Sequence, residues 1–194
     1  MTEKFLLRIT KYALGIFMAA ALLLTSSKTF AASAEQIIDG VDLTQIKRLA
    51  VAYPNHYKFD KVSDEPTIEA LIEMLGTANK STKFYVIPYA EIVESIKKDK
   101  GVDITTLNYR EAKKVFDENV ANYADSYLTL TTANNNDPTT FLFKIQNAQT
   151  GDVMYLSQIS SRTFRKNSNG YTSACELFYK TLDISMEKAL KDKS

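Results

Sequence analysis

The chain has 194 residues, with 24 Lys and Arg against 23 Asp and Glu, one His and one Cys, and a formal net charge of +1. This near balance argues against a nucleic-acid partner, because a phosphate backbone is bound by a strongly basic surface. One Cys excludes an internal disulfide, and one His with one Cys cannot supply a standard zinc site. Since no Gly-rich phosphate loop is present either, we expect a fold held by packing, with no metal and no cofactor.

The first 34 residues have the layout of a secretory signal peptide. Lys4, Arg8 and Lys11 form a basic head, Tyr12–Leu24 carries no charge, and Ala32-Ser33-Ala34 matches an A-x-A cleavage site. The alternative is a retained membrane anchor, but the uncharged run has 13 residues and a spanning helix needs about 20. The leader therefore predicts an exported bacterial protein, periplasmic or secreted, with no transmembrane segment after cleavage.

Cleavage after Ala34 leaves a mature chain of 160 residues, from Glu35 to Ser194. Removing the leader's four basic and one acidic side chains from totals of 24 and 23 gives a mature net charge of −2. A chain of this length suits one domain with a single adequate core. We therefore predict one domain over residues 35–194.

The first half of the mature chain has a strand–helix–strand pattern. After an irregular lead-in over Glu35–Gln45, the apolar run Arg48–Tyr53 predicts a buried strand that ends at Pro54. A helix is expected from near Pro66 to Gly76, followed by a strand over Lys83–Ile87. Its apolar stripe comprises Ile68, Leu71, Ile72 and Leu75. This βαβ unit predicts two parallel strands.

The rest of the chain predicts three further helices and three strands. The helices are expected from Tyr89 to a stop at Gly101, from a cap at Thr106 or Asn108 to about Asn122, and from about Thr172 to Lys191. The strands are expected over Ser126–Thr132, Thr140–Gln146 and Asp152–Ser161, the last two as a hairpin. The order β-α-β-α-α-β-β-β-α predicts an α/β two-layer sandwich: a mixed sheet of about five strands, with helices mainly on one face.

Three segments give the chain a resemblance to a known group of exported α/β modules. They are Lys47–Pro54, Lys83–Pro88 with the helix that follows, and Ala124–Leu128 with the hairpin bend at Thr150–Val153. In this pattern the chain resembles the amino-terminal domain of the Tol-system propeller protein, the periplasmic domain of the curli secretion channel and the outer-membrane activators of penicillin-binding proteins. The resemblance implies envelope assembly, self-association or partner binding rather than catalysis. The chain departs from the group in having no lipidated Cys, no added membrane-spanning hairpins and no propeller.

An aromatic cluster is expected at the carboxyl ends of the two predicted parallel strands, where open α/β sheets bind ligands. The candidate binding residues are Tyr53, His56, Tyr57, Phe59 and Tyr89. Such rings suit a peptide or a small apolar ligand. The alternative is a surface loop whose rings only cover the end of the sheet.

A hydrolase is the competing hypothesis at the same place. His56 with Ser63 and Asp60 or Asp64 contains the residue types of a nucleophile, its base and an orienting acid. No glycine pattern of a nucleophile elbow frames any Ser, so we assign no catalytic residue.

Three other features have plainer explanations. Arg162, Arg165 and Lys166 flank Phe164, which suggests either a weak contact with an anionic membrane surface or a solvated hairpin end. The oxygens of Asn134–Asp137 lack the spacing of a calcium loop, which favours a turn. Cys175 is expected to be a buried apolar residue on a helix, with an intermolecular disulfide as the alternative.

These observations predict a non-enzymatic cell-envelope protein that binds another envelope protein or itself. A periplasmic module for small ligands is the alternative, and a hydrolase using His56 is a third hypothesis.

Overall fold

The computed structural model describes residues 32–58, 66–134, 139–161 and 168–191. The strands are β1 (Ala32–Ile37), β2 (Arg48–Val51), β3 (Asn55–Lys58), β4 (Tyr85–Ile87), β5 (Ser126–Asn134), β6 (Thr139–Asn147) and β7 (Val153–Ser161). The helices are α1 (Ile68–Thr77), α2 (Tyr89–Lys100), α3 (Tyr109–Asn119) and α4 (Ser168–Lys191). Short 3-10 helices cover Leu43–Gln45, Ile104–Thr106 and Val120–Asn122.

The strands form one mixed sheet in the order β1-β7-β6-β5-β2-β4, and β3 also pairs with β5. β2 is parallel to both β4 and β5, while the β5-β6-β7-β1 half is antiparallel. β3 is parallel to β5 and lies beyond the end of β2, so that the two short strands share one edge of β5. The predicted α/β class with a mixed sheet is therefore confirmed, with seven strands rather than five.

The two additional strands are β1 and β3. The expectation of an irregular lead-in over Glu35–Gln45 is wrong, because Ala32–Ile37 pairs antiparallel with β7 and a 3-10 helix follows at Leu43–Gln45. No strand is expected between Pro54 and the helix that follows, but Asn55–Lys58 is one, and it pairs in register with residues 131–134 of β5. Both strands are too polar to show the apolar run or the alternation that predicts a strand, so tertiary pairing decides their structure.

Local capping explains where the helices begin and end. The Thr67 side chain accepts a hydrogen bond from the Ala70 N–H (3.2 Å) at the start of α1, and Asn108 accepts from the Glu111 N–H (3.0 Å) at the start of α3. Gly101 ends α2 with φ +69°, as predicted. Gly76 does not stop α1: it lies inside the last turn, and Ala78 is the C-cap.

The sheet separates two hydrophobic cores, and alternation along β2 contributes to both. Leu49 and Val51 lie in the core covered by α1 and α4, while Ala50 and Ala52 lie in the core covered by α2 and α3. The helices therefore cover both faces of the sheet rather than mainly one. The reason is topological, because the connections β2 to β4 and β4 to β5 run in opposite directions along the sheet, and connections of one hand then lie on opposite faces.

Within the described ranges, no helix is both long enough and apolar enough to cross a bilayer.

Candidate functional site

A cavity of about 470 Å³ lies at the carboxyl edge of the parallel strands. The chain leaving β2 leads towards α1 on one face of the sheet, and the chain leaving β4 enters α2 on the other. Two neighbouring parallel strands whose connections diverge to opposite faces open a crevice between them, which is where open α/β sheets bind ligands. The lining comes from the two residues that follow β2, from α1, α2, α3 and β5, and from the 3-10 helix before α3.

Four aromatic rings form a continuous wall of this cavity. Tyr53 lies 5.7 Å from Tyr89 and 5.8 Å from Tyr109, measured between ring centroids, and Tyr89 lies 6.0 Å from Phe116. All four rings line the cavity. We call Tyr53, Tyr89, Tyr109 and Phe116 the aromatic wall.

Three elements hold the tyrosines of the wall in place. Tyr53 follows β2, where the Ala52 N–H donates to the Leu128 carbonyl of β5 (2.9 Å) and so extends the strand pairing up to the ring. Tyr89 is the first residue of α2 and Tyr109 the first residue of α3. Each ring is therefore fixed by the end of a regular element rather than by a long loop.

A hydrogen-bond chain joins the wall to β3. The Tyr109 hydroxyl donates to Asn55 Oδ1 (2.5 Å), and Asn55 Nδ2 donates to Thr131 Oγ1 on β5 (3.3 Å). These two hydrogen bonds anchor the amino-terminal end of α3 to the sheet.

Burial raises the pKa of two phenols of the wall, Tyr89 and Tyr109. The nearby Tyr53 reinforces the effect of burial on the pKa of Tyr89. Behind the wall, burial raises the pKa of Tyr127 to about 12, and its ring lies 6.0 Å from that of Phe116. At neutral pH Tyr89 and Tyr109 therefore present uncharged rings with polar hydroxyls.

Charged groups enter the cavity from two sides. Glu69 lines it from α1, and hydrogen bonds from its own backbone N–H and from Thr67 lower the pKa of its carboxyl. Lys113 and Asp117 line it from α3 and form an ion pair with each other. Lys144 lies outside the lining on β6; burial lowers its pKa, and Lys113 adds to that effect.

The structure divides the residues predicted to form the aromatic cluster. Tyr53 and Tyr89 are in ring contact in the cavity wall. Tyr57 lies on β3, is largely exposed, and shares a strand face with Asn55, which accepts the hydrogen bond from the Tyr109 hydroxyl. Phe59 lies outside the described residues.

His56 lies away from the cavity. It is on β3 next to Tyr57, where successive side chains point to opposite faces of the sheet. Its Nδ1 is hydrogen-bonded to Thr132 Oγ1, and its ring lies 6.4 Å from that of Tyr171 on α4. Its proposed hydrolase partners Asp60, Ser63 and Asp64 lie outside the described residues, so the triad remains a prediction.

Other predicted features have mixed outcomes. Cys175 is fully buried on α4, as expected, and burial raises the pKa of its thiol to about 12. Arg162, Phe164, Arg165 and Lys166 lie outside the described residues, as do residues 135–138 of the predicted turn. In the described ranges no group of three or more His, Cys, Asp or Glu side chains is placed to hold a metal ion.

Sequence reasoning missed Tyr109, Phe116 and Glu69 as cavity residues. A cap at Thr106 or Asn108 places Tyr109 near the beginning of a helix, and the structure has it as the first residue of α3. The helical spacing of Phe116 favours core packing, and Phe116 is buried as well as part of the lining. Sequence patterns within single elements do not show that the starts of these helices converge on the end of β2.

No protein-family model matches the chain, and no curated protein matches it. Solved structures similar to it include a PelC dodecamer from Paraburkholderia phytofirmans, at TM-score 0.44 and 9% identity over 79% of this chain and 96% of that chain. The LpoB C-terminal domain from Salmonella enterica matches at TM-score 0.43 and 18% identity, over 64% of this chain and 87% of that one.

TolB from Acinetobacter baumannii matches at TM-score 0.35 and 12% identity, over 82% of this chain and 31% of that one. The similar structures thus include two of the three groups expected from the sequence pattern. LpoB represents the penicillin-binding-protein activators, and TolB is the Tol-system propeller protein. At these identities and TM-scores the likenesses identify no family and assign no function to the chain.

Proposed function

We propose that this is an exported cell-envelope protein that works by binding another protein, and that the edge around the aromatic wall is its contact surface. Export rests on the leader layout of residues 1–34, which stays a prediction. The binding surface rests on the geometry of the described residues.

One observation carries the proposal. In the described part of the chain eight large hydrophobic side chains are exposed, and three of them gather at this edge: Tyr53 (39% exposed), Tyr57 (54%) and Tyr109 (48%). Tyr is enriched in protein interfaces, because its ring buries a large apolar area while its hydroxyl keeps a polar partner. A cluster of exposed tyrosines beside a cavity is the arrangement in which a partner's side chain is anchored.

Mutation of the cluster tests the proposal. Tyr53→Ala with Tyr57→Ala should abolish capture of a partner from envelope extract that the unaltered protein captures reproducibly. Tyr85→Ala is the matched control, since Tyr85 is 57% exposed and lies outside the cavity lining. A partner that is lost equally with both variants, or with neither, would contradict the assignment of this surface.

If the partner is a second copy of the chain, the proposal becomes self-association through the same surface. Sedimentation velocity over a wide concentration range distinguishes it, since the oligomer should dissociate in the Tyr53 and Tyr57 variant and persist in the Tyr85 variant. An oligomer indifferent to both changes would place self-association elsewhere.

A small-ligand module is the second candidate, favoured by the cavity volume. About 470 Å³ falls within the 300–1,000 Å³ typical of small-molecule sites. A ligand at about 100 times its dissociation constant would raise the free energy of unfolding by roughly 2.7 kcal/mol. A thermal-shift screen in which hits disappear with Tyr53→Ala and remain with Tyr85→Ala would favour this candidate over a protein partner.

A further inference from the structure

We infer that the group entering the cavity is a cationic side chain, Arg or Lys, presented by the partner protein; this inference rests on the proposed function. The juxtaposition that points to it is that the aromatic wall and the acidic residue Glu69 line one and the same cavity.

The wall attracts cations through its rings. A guanidinium or ammonium group within about 6 Å of an aromatic ring is drawn to the negative face of that ring, and Arg also stacks on it. Tyr53 has ring neighbours on two sides, Tyr89 and Tyr109, so a cation placed against Tyr53 lies near a second ring as well.

The charges of the lining favour the same ligand. Lys113 and Asp117 compensate each other in an ion pair on the α3 side. Glu69 enters from α1, and no salt bridge to its carboxylate is found among the described residues. Lys144 stands on β6 beside the Lys113–Asp117 pair and does not line the cavity. The lining therefore carries one net negative charge, on the α1 side, and a cation can bind there without breaking an existing ion pair.

The wider surface favours a protein as the source of the cation. Tyr57 lies on the same face of β3 as Asn55, which accepts the hydrogen bond from Tyr109, and so extends the aromatic surface beyond the cavity. A side chain inserted at Tyr53 would therefore bring its own backbone against the exposed rings of Tyr57 and Tyr109. A free cation of the size of choline would leave that outer surface uncovered.

Matched peptides test the charge directly. The probes are acetyl-Gly-Arg-Gly-amide and its citrulline counterpart, in which a neutral urea of similar shape replaces the guanidinium, titrated into the full chain and followed by NMR. We expect the Arg peptide to bind at least about fivefold more tightly than the citrulline peptide. Tyr53→Leu and Glu69→Gln should each reduce this preference severalfold, whereas Tyr53→Phe, which keeps the ring, and Tyr85→Leu should preserve it.

The alternative outcomes separate this inference from the proposal on which it rests. Equal binding of the two peptides, or a preference unchanged in both Tyr53→Leu and Glu69→Gln, overturns the cationic ligand. Tighter binding of choline than of the Arg peptide overturns the protein source in favour of a small cation. If neither peptide binds while partner capture still depends on Tyr53 and Tyr57, the inference fails and the proposed function stands; if capture is also indifferent to them, both fail.

Discussion

Replacing Tyr155 by Phe tests how β1 is attached to the domain. The Tyr155 ring is fully buried on β7, and its hydroxyl donates to Glu35 Oε2 on β1 (2.8 Å). Ser185 Oγ on α4 donates to the same oxygen (2.9 Å), so one carboxylate joins the edge strand, its neighbour and the long helix. Burial is the main cause that raises the pKa of Tyr155, and the hydrogen bond to Glu35 is the second. The hydroxyl therefore stays protonated and remains a donor at all ordinary pH values.

The magnitude follows from what the change removes. A hydrogen bond to a charged acceptor contributes about 1.5–3 kcal/mol to stability. Glu35 is itself exposed, so water and the Ser185 hydroxyl can satisfy its carboxylate once the phenol is gone. We therefore expect Tyr155→Phe to lower the free energy of unfolding by about 1–2 kcal/mol. For a domain of this size the Tm should fall by roughly 3–6 °C.

The assay combines denaturation with a measurement specific to β1. Urea unfolding gives the stability loss. Hydrogen exchange at the amides of Gln36 and Ile37, which the predicted cleavage after Ala34 leaves in β1, should accelerate more than exchange at β5. In a double-mutant cycle, Glu35→Gln should cost less in the Tyr155→Phe background than in the unaltered protein, because the two side chains share one interaction. A Tyr155→Phe protein as stable as the original, with unchanged exchange in β1, would refute the attachment of this strand through Glu35.

Four further substitutions should alter stability in distinct ways. Phe178→Ala should cost about 3–5 kcal/mol in chemical denaturation, since the ring is fully buried and stacks on Phe143 at 4.3 Å; a loss under about 1 kcal/mol would contradict this packing. Gly101→Ala should destabilise the folded protein by roughly 1–2 kcal/mol, because Gly101 has φ +69° and Ala adopts this left-handed conformation only with strain. Gly76→Ala should instead stabilise it by roughly 0.5–1 kcal/mol, because Gly76 lies in a helix and an added Cβ would meet only ordinary contacts at 3.8 Å or more. Equal signs for the two would disprove the helix boundaries. Hydrogen bonds from Lys97 and then from Thr105 lower the pKa of Asp103 from 3.8 to about 2. Its contribution is therefore present above about pH 4 and lost as the pH falls towards 2. The stability difference from Asp103→Asn, measured by urea unfolding at several pH values, should vanish over that range, and a constant difference would contradict the lowered pKa.

Local patterns in the chain predicted most of the regular elements. The apolar stripe of α1, the Gly101 stop of α2 and the Asn108 cap of α3 are determined by neighbours within a few residues. The hairpin between β6 and β7 likewise follows from alternation and from the left-handed Gly151, at φ +72°. Such features are visible in a sequence because the atoms that cause them are close along the chain.

Tertiary structure alone decided the rest. β1 and β3 are strands because β7 and β5 offer them hydrogen-bonding edges, and neither partner is near in sequence. Tertiary structure also completes the site. The order of elements predicts that Tyr53 and Tyr89 lie at one end of the sheet. Tyr109 joins them only because α3 packs on the face of the sheet opposite α1. Conversely, pairing with β5 puts His56 and Tyr57, neighbours in the chain, on opposite faces of the sheet, so that only Tyr57 lies near the aromatic wall.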